Sequence, residues 1–189
     1  MRNVAVVLAG GVGSRMGAPV PKQFLQLQGR AVVEYPIDTF DRHHAIDEVA
    51  VVVHPDWRGR MEEIAAANRW SKLAKIIDGG TERYMSSLNA IMAYIDESDD
   101  TNLLLHDAAR PVLSAAVVSR VCNALQHHEA VGVAIPSTDT VWEVHPDMDS
   151  LTPDPSPERE GGKDLNGEWG LPRFVARIPE RRLMWRAQT

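Results

Sequence analysis

The sequence has little of several features that would each indicate a particular class of protein. Its single cysteine, Cys122, excludes a disulfide within the chain and is typical of a reducing compartment, so we expect a cytoplasmic protein. No apolar run approaches the ~20 residues of a membrane-spanning helix, and we expect no secretory leader. The formal net charge of -6 disfavours general binding to nucleic acid or to an anionic membrane, so we expect neither as a partner.

The glycine-rich first loop lacks two familiar nucleotide-binding fingerprints. A P-loop requires Gly-Lys followed by Ser or Thr, and this triplet does not occur in the sequence. A dinucleotide fingerprint requires G-x-G-x-x-G; Gly11 and Gly13 begin one, but Met16 stands where the last glycine is needed. These differences exclude a P-loop and disfavour a nicotinamide-dependent dehydrogenase.

The same loop nevertheless has the composition of an anion-binding site. It follows an apolar run at 4–8 and reads Leu8-Ala9-Gly10-Gly11-Val12-Gly13-Ser14-Arg15-Met16-Gly17. Glycines allow a tight turn whose backbone amides point inward and bind anions, and Arg15 and Lys22 add two positive charges at its rim. A glycine-rich turn without a ligand is the alternative, but such a turn needs neither cation. We therefore expect a phosphate-bearing ligand at this loop.

Apolar runs and amphipathic segments alternate along the chain, which indicates βαβ units and a mostly parallel sheet. The predicted strands are 4–8, 48–54, 75–78, 102–106 and 131–135, and the predicted helices are 31–40, 58–68, 86–95 and 114–127. Leu88, Ile91, Met92 and Ile95 share one face of the third predicted helix, and Ser114 is expected to cap the fourth. The sequence thus predicts an α/β fold in a single domain.

A carboxylate follows the fourth predicted strand, in the segment His106-Asp107-Ala108-Ala109-Arg110-Pro111. Ligands bind beyond the carboxyl ends of parallel strands, and a carboxylate placed there near a phosphate loop is a natural ligand of Mg²⁺. Arg110 could orient Asp107 or bind a substrate phosphate through two hydrogen bonds. The alternative is a surface ion pair between Asp107 and Arg110, with His106 packed beneath the sheet.

Two further polar segments follow predicted strands. In Gly79-Gly80-Thr81-Glu82-Arg83 the glycines permit close approach of the backbone to a base or ribose. Ser86, beyond them, could either cap a helix or hydrogen-bond a base edge. Thr138, Asp139 and Thr140 supply hydroxyls and a carboxylate that no packing requirement explains, although a turn or a cap would use similar residues.

The composition changes at 145–173, where proline, glycine and acidic residues are concentrated. Such a segment cannot form a core, so we expect a mobile inserted arm there and not a second domain. The alternating pattern at 174–178 predicts one further strand.

Taken together, these motifs resemble those of the 2-C-methyl-D-erythritol 4-phosphate cytidylyltransferases. The matching segments are Leu8-Ala9-Gly10-Gly11-x-Gly13-Ser14-Arg15-Met16, Pro21-Lys22-Gln23-Phe24, Gly79-Gly80-x-x-Arg83, His106-Asp107-Ala108-Ala109-Arg110-Pro111, Asp139-Thr140 and Arg181-Arg182-Leu183-Met184-Trp185-Arg186-Ala187-Gln188-Thr189. Their order and spacing hold over nearly all of 3–144. No single segment is specific, but the combination is highly specific.

The resemblance implies a Rossmann-like three-layer αβα sandwich of the nucleotide-diphospho-sugar transferase type, with a protruding arm that forms a homodimer. It also implies a Mg²⁺-dependent transfer of CMP from CTP to a polyol phosphate, with release of pyrophosphate, in non-mevalonate isoprenoid synthesis.

The resemblance assigns roles to individual residues as well. Arg15 and Lys22 would hold the triphosphate and the charge that develops at its α-phosphorus, and Asp107 would hold Mg²⁺. The residues that would bind CTP are Ala9, Gly10, Gly11, Gly13, Gly80, Thr81 and Ser86. The residues that would bind the acceptor are Arg110, Thr140, Arg181 and Thr189, of which Arg181 could come from a partner subunit.

Three departures from the family pattern leave alternatives open. The segment 145–173 lies where the dimerisation arm is expected, and the chain is expected to lack the family's last strand, last helix and their basic active-site residue. Trp142 stands where many members carry lysine, and Gly10-Gly11 with Val141-Trp142-Glu143 also resembles the sister ribitol/ribulose 5-phosphate cytidylyltransferases. A nucleotide-binding remnant without turnover is the remaining alternative.

Overall fold

A computed structural model of the 189-residue chain describes residues 1–11, 20–97, 100–136, 143–145, 174–177 and 185–187. The chain divides into two compact units, one over Met1–Val131 and one over Gly132–Gln188. In chain order the first unit contains β1 (Arg2–Ala9), β2 (Gln26–Leu27), β3 (Arg30–Ala31), α1 (Glu34–Arg42), β4 (Glu48–Val53), α2 (Arg58–Asn68), β5 (Leu73–Asp78), α3 (Arg83–Met92), β6 (Thr101–Asp107) and α4 (Ala115–Leu125).

The first unit is built on a four-stranded sheet in the order β5-β4-β1-β6. Every neighbouring pair in this sheet is parallel. Its two central strands are continuous apolar runs, and the side chains of 4–7 and 49–53 are 0% exposed. Burial on both faces is typical of a parallel sheet that helices cover from two sides, so the predicted α/β class is confirmed.

Alternate side chains of each strand face opposite sides of the sheet, and the two sides form separate apolar clusters. On one side Val7 and Val51 pack with Ile37 of α1, Met61 of α2 and Val118 of α4. The other side is covered by α3, and its cluster consists of Val4, Val6, Ala50, Val52, Ala90 and Tyr94. Helices on both faces of one sheet give the three-layer αβα sandwich that the resemblance implied.

Several elements lie where the sequence predicted them. The helix predicted at 58–68 is α2, with the same bounds, and the strand predicted at 48–54 is β4, which ends at Val53. The helix α4 begins directly after Ser114, whose Oγ accepts a hydrogen bond from the Val117 N–H at 3.3 Å. The predicted cap is therefore confirmed.

The helix predicted from residue 31 begins later, at Glu34. The reason is a short hairpin: β3 pairs with β2 in antiparallel fashion and keeps Ala31 extended. The carboxylate of Glu34 accepts a hydrogen bond from the Ala31 N–H at 2.6 Å, which joins the end of the hairpin to the first turn of α1. The local pattern predicted the helix, and strand pairing set where it begins.

The helix α3 differs from its prediction in both position and orientation. It runs from Arg83 to Met92, so it begins and ends earlier than the predicted 86–95. Its buried side carries Ser86 and Ala90. The four apolar residues Leu88, Ile91, Met92 and Ile95 are instead 45–60% exposed. Because this helix is apolar on more than one side, periodicity does not indicate which side faces the sheet.

The second unit contains β7 (Ala134–Pro136), β8 (Glu143–His145), β9 (Phe174–Arg177) and β10 (Trp185–Ala187). The strands pair in antiparallel fashion, β7 with β10 and β8 with β9. The strand predicted at 131–135 corresponds to β7, which begins later, and the strand predicted at 174–178 corresponds to β9. Most of the expected arm at 145–173 lies outside the described residues, so the arm and the single domain stay predictions.

Within the described ranges, every helix is too short or too polar to cross a bilayer. Cys122 lies on the buried side of α4 and is 4% exposed. Burial raises the pKa of its thiol, which disfavours the reactive thiolate. Cys122 is therefore a packed side chain of the core.

Candidate active site

The carboxyl ends of the four parallel strands meet at one edge of the sheet. The residues paired at these ends are Ala9 with Val53, Val53 with Asp78, and Leu8 with Asp107. The glycine loop that begins at Gly10, the pair Gly79–Gly80 and the loop after Asp107 therefore leave the sheet side by side. This edge is where parallel α/β sheets bind their ligands.

The hydroxyl of Ser86 lies between the two glycine segments. Its Oγ accepts a hydrogen bond from the Gly80 N–H at 3.2 Å, and the side chain is 5% exposed. A Cβ on Gly10 would lie 2.6 Å from this Oγ, and a Cβ on Gly79 would lie 3.0 Å from it. A Cβ at Gly10 would therefore overlap the buried hydroxyl, and a Cβ at Gly79 would be tight against both that hydroxyl and the Val53 carbonyl, at 3.3 Å.

This contact decides between the two roles that the sequence left open for Ser86. The helix α3 begins at Arg83, with Glu82 as its N-cap residue, so the capping alternative for Ser86 is wrong. The hydroxyl lies inside the first turns of the helix and is turned toward the glycine segments. A hydroxyl that accepts from Gly80 keeps its own hydrogen available to donate to another group.

The motif Pro21-Lys22-Gln23-Phe24 forms a 3-10 turn over Lys22–Phe24. Gln23 and Phe24 are each 5% exposed, whereas Lys22 is exposed. The Gln23 Nε2 donates to the carbonyl oxygens of Ala9 at 2.7 Å and Gly11 at 2.8 Å. The turn that carries the exposed ammonium group is thus hydrogen-bonded directly to the start of the glycine loop.

Asp107 is the last residue of β6, and its side chain is 23% exposed. The Arg110 Nε donates to its Oδ2 at 3.2 Å. The loop that joins them is tied back to β1, because the Ala108 N–H donates to the Leu8 carbonyl at 3.0 Å. The structure thus shows an ion pair between Arg110 and Asp107 at the sheet edge, which both the orienting role and the surface-pair alternative predict.

His106 is half-buried beside this loop. Its Nε2 donates to the Arg110 carbonyl at 3.1 Å, and its ring meets the edge of Phe40 at a centroid distance of 5.7 Å. Burial lowers the pKa of this imidazole, and the hydrogen bond to the Arg110 carbonyl and the nearby carboxylate of Asp107 oppose that shift only in part. His106 is therefore a neutral packing residue that supports the loop, as one of the alternatives predicted.

Some predicted site residues lie outside the described residues. These are Gly13, Arg15, Thr140, Arg181 and Thr189, and only the backbone of Arg83 is described. Thr81 is exposed, and its Oγ1 donates to the Met85 Sδ at 3.3 Å. Among the described residues, the structure brings Ala9, Gly10, Gly11, Gly80 and Ser86 together and places Asp107 beside the end of β1.

Asp107 is the carboxylate at this edge that the sequence predicts as a metal ligand. The described part of the chain contains no group of three or more His, Cys, Asp or Glu residues that could hold a metal ion together. Mg²⁺ commonly binds through one or two carboxylates plus the phosphates of a substrate, and it keeps several waters. Asp107 fits that shared mode of binding and does not fit a metal cage made by protein alone.

Sequence reasoning missed two residues that shape this edge. They are Gln23, whose motif does not indicate its buried contacts, and Trp57. The Trp57 ring stacks on Phe24, with the ring centroids 5.1 Å apart and an angle of 19° between the planes. The contacts of Gln23 with Ala9 and Gly11, and that of Trp57 with Phe24, join residues at least 12 positions apart, so no local pattern could indicate them.

The fold and the site together define an α/β protein whose candidate ligand site lies at the carboxyl edge of a parallel sheet. The family model of IspD, 2-C-methyl-D-erythritol 4-phosphate cytidylyltransferase, matches residues 3–161, and the chain belongs to this family. The resemblance that the motifs indicated is thereby confirmed.

Curated relatives agree with this membership. The chain is 44% identical over 143 residues to a 2-C-methyl-D-erythritol 4-phosphate cytidylyltransferase of Thermobifida fusca, a match that covers 76% of this chain and 57% of that protein. It is 41% identical over 150 residues to the bifunctional ribulose 5-phosphate reductase/CDP-ribitol pyrophosphorylase Bcs1 of Haemophilus influenzae, covering 79% of this chain and 32% of that one. The chain thus spans about a third to somewhat over half the length of these relatives.

Solved structures support the fold. The 4-diphosphocytidyl-2C-methyl-D-erythritol synthase of Anaerococcus prevotii is similar with a TM-score of 0.72 at 23% identity, over 100% of this chain and 68% of that one. The 2-C-methyl-D-erythritol 4-phosphate cytidylyltransferase of Francisella tularensis is similar with a TM-score of 0.66 at 20% identity, over 100% of this chain and 70% of that one. At these identities the likeness concerns the fold alone.

Proposed function

We propose that this chain transfers CMP from CTP to 2-C-methyl-D-erythritol 4-phosphate and releases pyrophosphate, as a step of non-mevalonate isoprenoid synthesis. The observation that carries the proposal is the position of Ser86, whose buried hydroxyl lies between Gly10 and Gly79–Gly80 at the carboxyl edge. Family membership supports the reaction, and the alignment of Asp107 with the end of β1 supports its location.

The two glycine segments and Ser86 would surround the cytidine. The hydroxyl of Ser86 accepts from Gly80 and can donate its own hydrogen to an acceptor on the cytosine edge. Backbone amides at Ala9, Gly10, Gly11, Gly13 and Thr81 would complete this pocket. Any side chain at Gly10 would displace Ser86. The position of the hydroxyl that would bind the base therefore depends on close packing against Gly10.

The transfer of CMP requires neutralisation of negative charge more than it requires proton transfer. An oxygen of the acceptor phosphate forms a bond to the α-phosphorus of CTP, and the bond from that phosphorus to the bridging oxygen of pyrophosphate breaks. The attacking oxygen is already anionic near neutral pH, because the second pKa of a phosphate monoester is about 6. No general base is required, and Lys22 and Arg15 would hold the triphosphate and the charge that develops.

Asp107 would hold Mg²⁺ together with the triphosphate, and Arg110 would keep its carboxylate in place. Bound there, Mg²⁺ would neutralise part of the negative charge on the phosphates. Every other role at the edge falls to groups of the chain itself: backbone amides bind, Ser86 orients the base, and Lys22 attracts the phosphates.

The acceptor site and the assembly complete the proposal. Arg110, Thr140, Arg181 and Thr189 would bind the polyol phosphate. We further propose a homodimer through the arm at 145–173, and a cytoplasmic location consistent with the packed, unpaired Cys122.

The direct test measures pyrophosphate release from CTP by this chain and by a family-length version, with Mg²⁺ and 2-C-methyl-D-erythritol 4-phosphate. Release should require both, and Lys22→Ala should abolish it. Arg120→Ala removes another exposed cation, on α4, and should leave the rate unchanged. Near-normal rates with Lys22→Ala would contradict the assigned role, and CTP binding with no CDP-polyol product would identify a nucleotide-binding remnant.

A second acceptor is supported by the Haemophilus influenzae protein, whose name specifies CDP-ribitol pyrophosphorylase activity. The alternative function is therefore cytidylyl transfer to ribitol or ribulose 5-phosphate. Rates with the two kinds of acceptor, measured side by side at equal CTP, decide between them. Faster turnover of methylerythritol phosphate supports the first function, and faster turnover of ribitol or ribulose 5-phosphate supports the second.

A further inference from the structure

A single buried carboxamide joins two parts of the candidate site. Gln23 Nε2 lies 2.7 Å from the carbonyl oxygen of Ala9 and 2.8 Å from that of Gly11, so both of its hydrogens are donated to the glycine loop. The side chain is 5% exposed and belongs to the turn next to Lys22. Gln23 therefore contacts the backbone of the glycine loop and is the neighbour in sequence of the exposed Lys22.

The turn is held firmly from its other side. The Gln23 carbonyl accepts a hydrogen bond from the Val33 N–H at 2.9 Å, and Phe24 stacks on Trp57. Because backbone and aromatic contacts fix the turn, its carboxamide has a fixed position. The two hydrogen bonds of the carboxamide therefore fix the carbonyl groups of Ala9 and Gly11. In a trans peptide the N–H points opposite to the C=O, so fixing the Ala9 carbonyl also fixes the direction of the Gly10 N–H.

We infer that Gln23 is a positioning residue for CTP: its carboxamide sets the backbone of Ala9 and Gly11 at a fixed distance from Lys22. This inference rests on the proposed function, because it concerns the same nucleotide site. The carboxamide itself is buried against backbone carbonyls, so it acts through the loop and through Lys22. A hydrocarbon of similar size would fill the space but supply neither hydrogen bond.

Two variants and one control separate this role from simple packing. Gln23→Met keeps the length of the side chain and removes both donors. Gln23→Glu keeps the shape and replaces the donating nitrogen by an oxygen that faces two carbonyls. Asn3→Asp is the control, since the Asn3 amide also donates to a backbone carbonyl, that of Ala45 at 2.8 Å, but lies about 20 Å from the loop along β1.

The measurement is the affinity for CTP in the presence of Mg²⁺, by calorimetry at pH 8, on protein shown to be folded. Gln23→Met should weaken binding by on the order of tenfold, which corresponds to ~1.4 kcal/mol. Asn3→Asp should stay within about twofold of the wild type, since mutations distant from a site usually act independently of it. Wild-type affinity in folded Gln23→Met would overturn the inference.

The pH dependence of Gln23→Glu gives a signature that packing alone would not produce. Burial and two neighbouring carbonyl oxygens raise the pKa of the introduced carboxyl, and its protonated form has one O–H to donate. The deficit in CTP affinity relative to wild type should therefore shrink as the pH falls from 8 to 5.5, while the deficit of Gln23→Met stays constant. A deficit of Gln23→Glu that does not change with pH would overturn the inference, even if Gln23→Met failed to fold.

Hydrogen exchange measured without nucleotide distinguishes failure of this positioning role from failure of the proposed function. Amide hydrogen exchange in the peptide containing residues 8–11 should be faster in Gln23→Met than in wild type and unchanged in Asn3→Asp. If the wild-type chain does not bind CTP, the proposed function fails, and this exchange still tests the carboxamide. Equal exchange in wild type and Gln23→Met would overturn the positioning role.

Discussion

The backbone N–H of Gly80 donates to the Oγ of Ser86 at 3.2 Å, and this one contact joins the loop after β5 to the first turns of α3. The same Oγ limits the space at Gly10, which leaves β1. Three segments from different parts of the sequence therefore share a single buried hydroxyl. The candidate cytidine pocket depends on how closely they pack.

Gly10→Ala should destabilise the protein by about 1–3 kcal/mol, the usual cost of overpacking, because the new Cβ would lie 2.6 Å from the Ser86 Oγ. In a Ser86→Ala background the nearest remaining atom is the Cβ of residue 86, at 3.5 Å, so the same change should cost much less. Urea unfolding of the four proteins in this double-mutant cycle gives the coupling. Additive effects would contradict the packing described here.

Gly11→Ala is the matched control for that experiment. A Cβ on Gly11 meets nothing within 4 Å, although it neighbours Gly10 in the same loop. The free energy of unfolding of the Gly11→Ala variant should stay within about 0.5 kcal/mol of the wild-type value. A loss as large as that of Gly10→Ala would mean that the loop, and not Ser86, sets the requirement for glycine.

Gly59→Ala should stabilise the protein. Gly59 lies in the first turn of α2, is exposed, and has open space where a Cβ would go. Alanine loses less backbone entropy than glycine when a helix forms, which is worth about 0.5–1 kcal/mol. The midpoint of urea unfolding should rise with an unchanged slope, and a fall would show that this glycine has a role beyond the helix.

The stability of the protein should fall as the pH drops below the ordinary pKa of histidine, partly because of His106. Burial lowers its pKa in the folded protein, so just below the unfolded value the unfolded chain binds more protons than the folded one. The contribution is fully present above that unfolded pKa and is lost with acidification. Unfolding free energies from pH 8 to 5 should fall less in His106→Gln, and equal slopes would contradict the shift.

Asp107→Asn should raise the Mg²⁺ concentration for half-maximal pyrophosphate release by on the order of tenfold or more, because the amide loses the charge that attracts the ion. Asp78→Asn is the control. Asp78 ends the parallel strand β5 at the same edge and, like Asp107, accepts a hydrogen bond from an arginine, in its case from Arg58 Nη1 at 2.8 Å. Equal shifts in the two variants would show a general effect of charge and not a specific ligand.

Prediction from sequence succeeded where one local signal was strong. The continuous apolar run at 49–53 is typical of a parallel strand buried on both faces, and Ser114 has the chemistry of a cap directly before a helix. The glycine segments and Asp107 were predicted to converge because parallel topology brings strand ends to one edge. The registers of β1 with β4 and β6 confirm that convergence.

Prediction failed where a distant partner decided the outcome. Strand pairing of Ala31 delayed the start of α1, and the apolar residues on both sides of α3 did not indicate which side is buried. The two hydrogen bonds of Gln23 join residues that are far apart in sequence, so the motif showed that it belongs to the site but not what it does. Only tertiary contacts specify such roles.

A titration of the isotope-labelled chain with CTP and Mg²⁺, followed by the backbone amide resonances, tests most directly whether the nucleotide binds at the carboxyl edge. The largest shifts should fall on Gly10, Gly11, Gly80, Ser86 and Lys22, while Asn3 and Asn102, paired at the opposite edge of the sheet, should stay unchanged. Saturable shifts confined to that opposite edge, or no shifts at millimolar CTP, would contradict binding at the carboxyl edge.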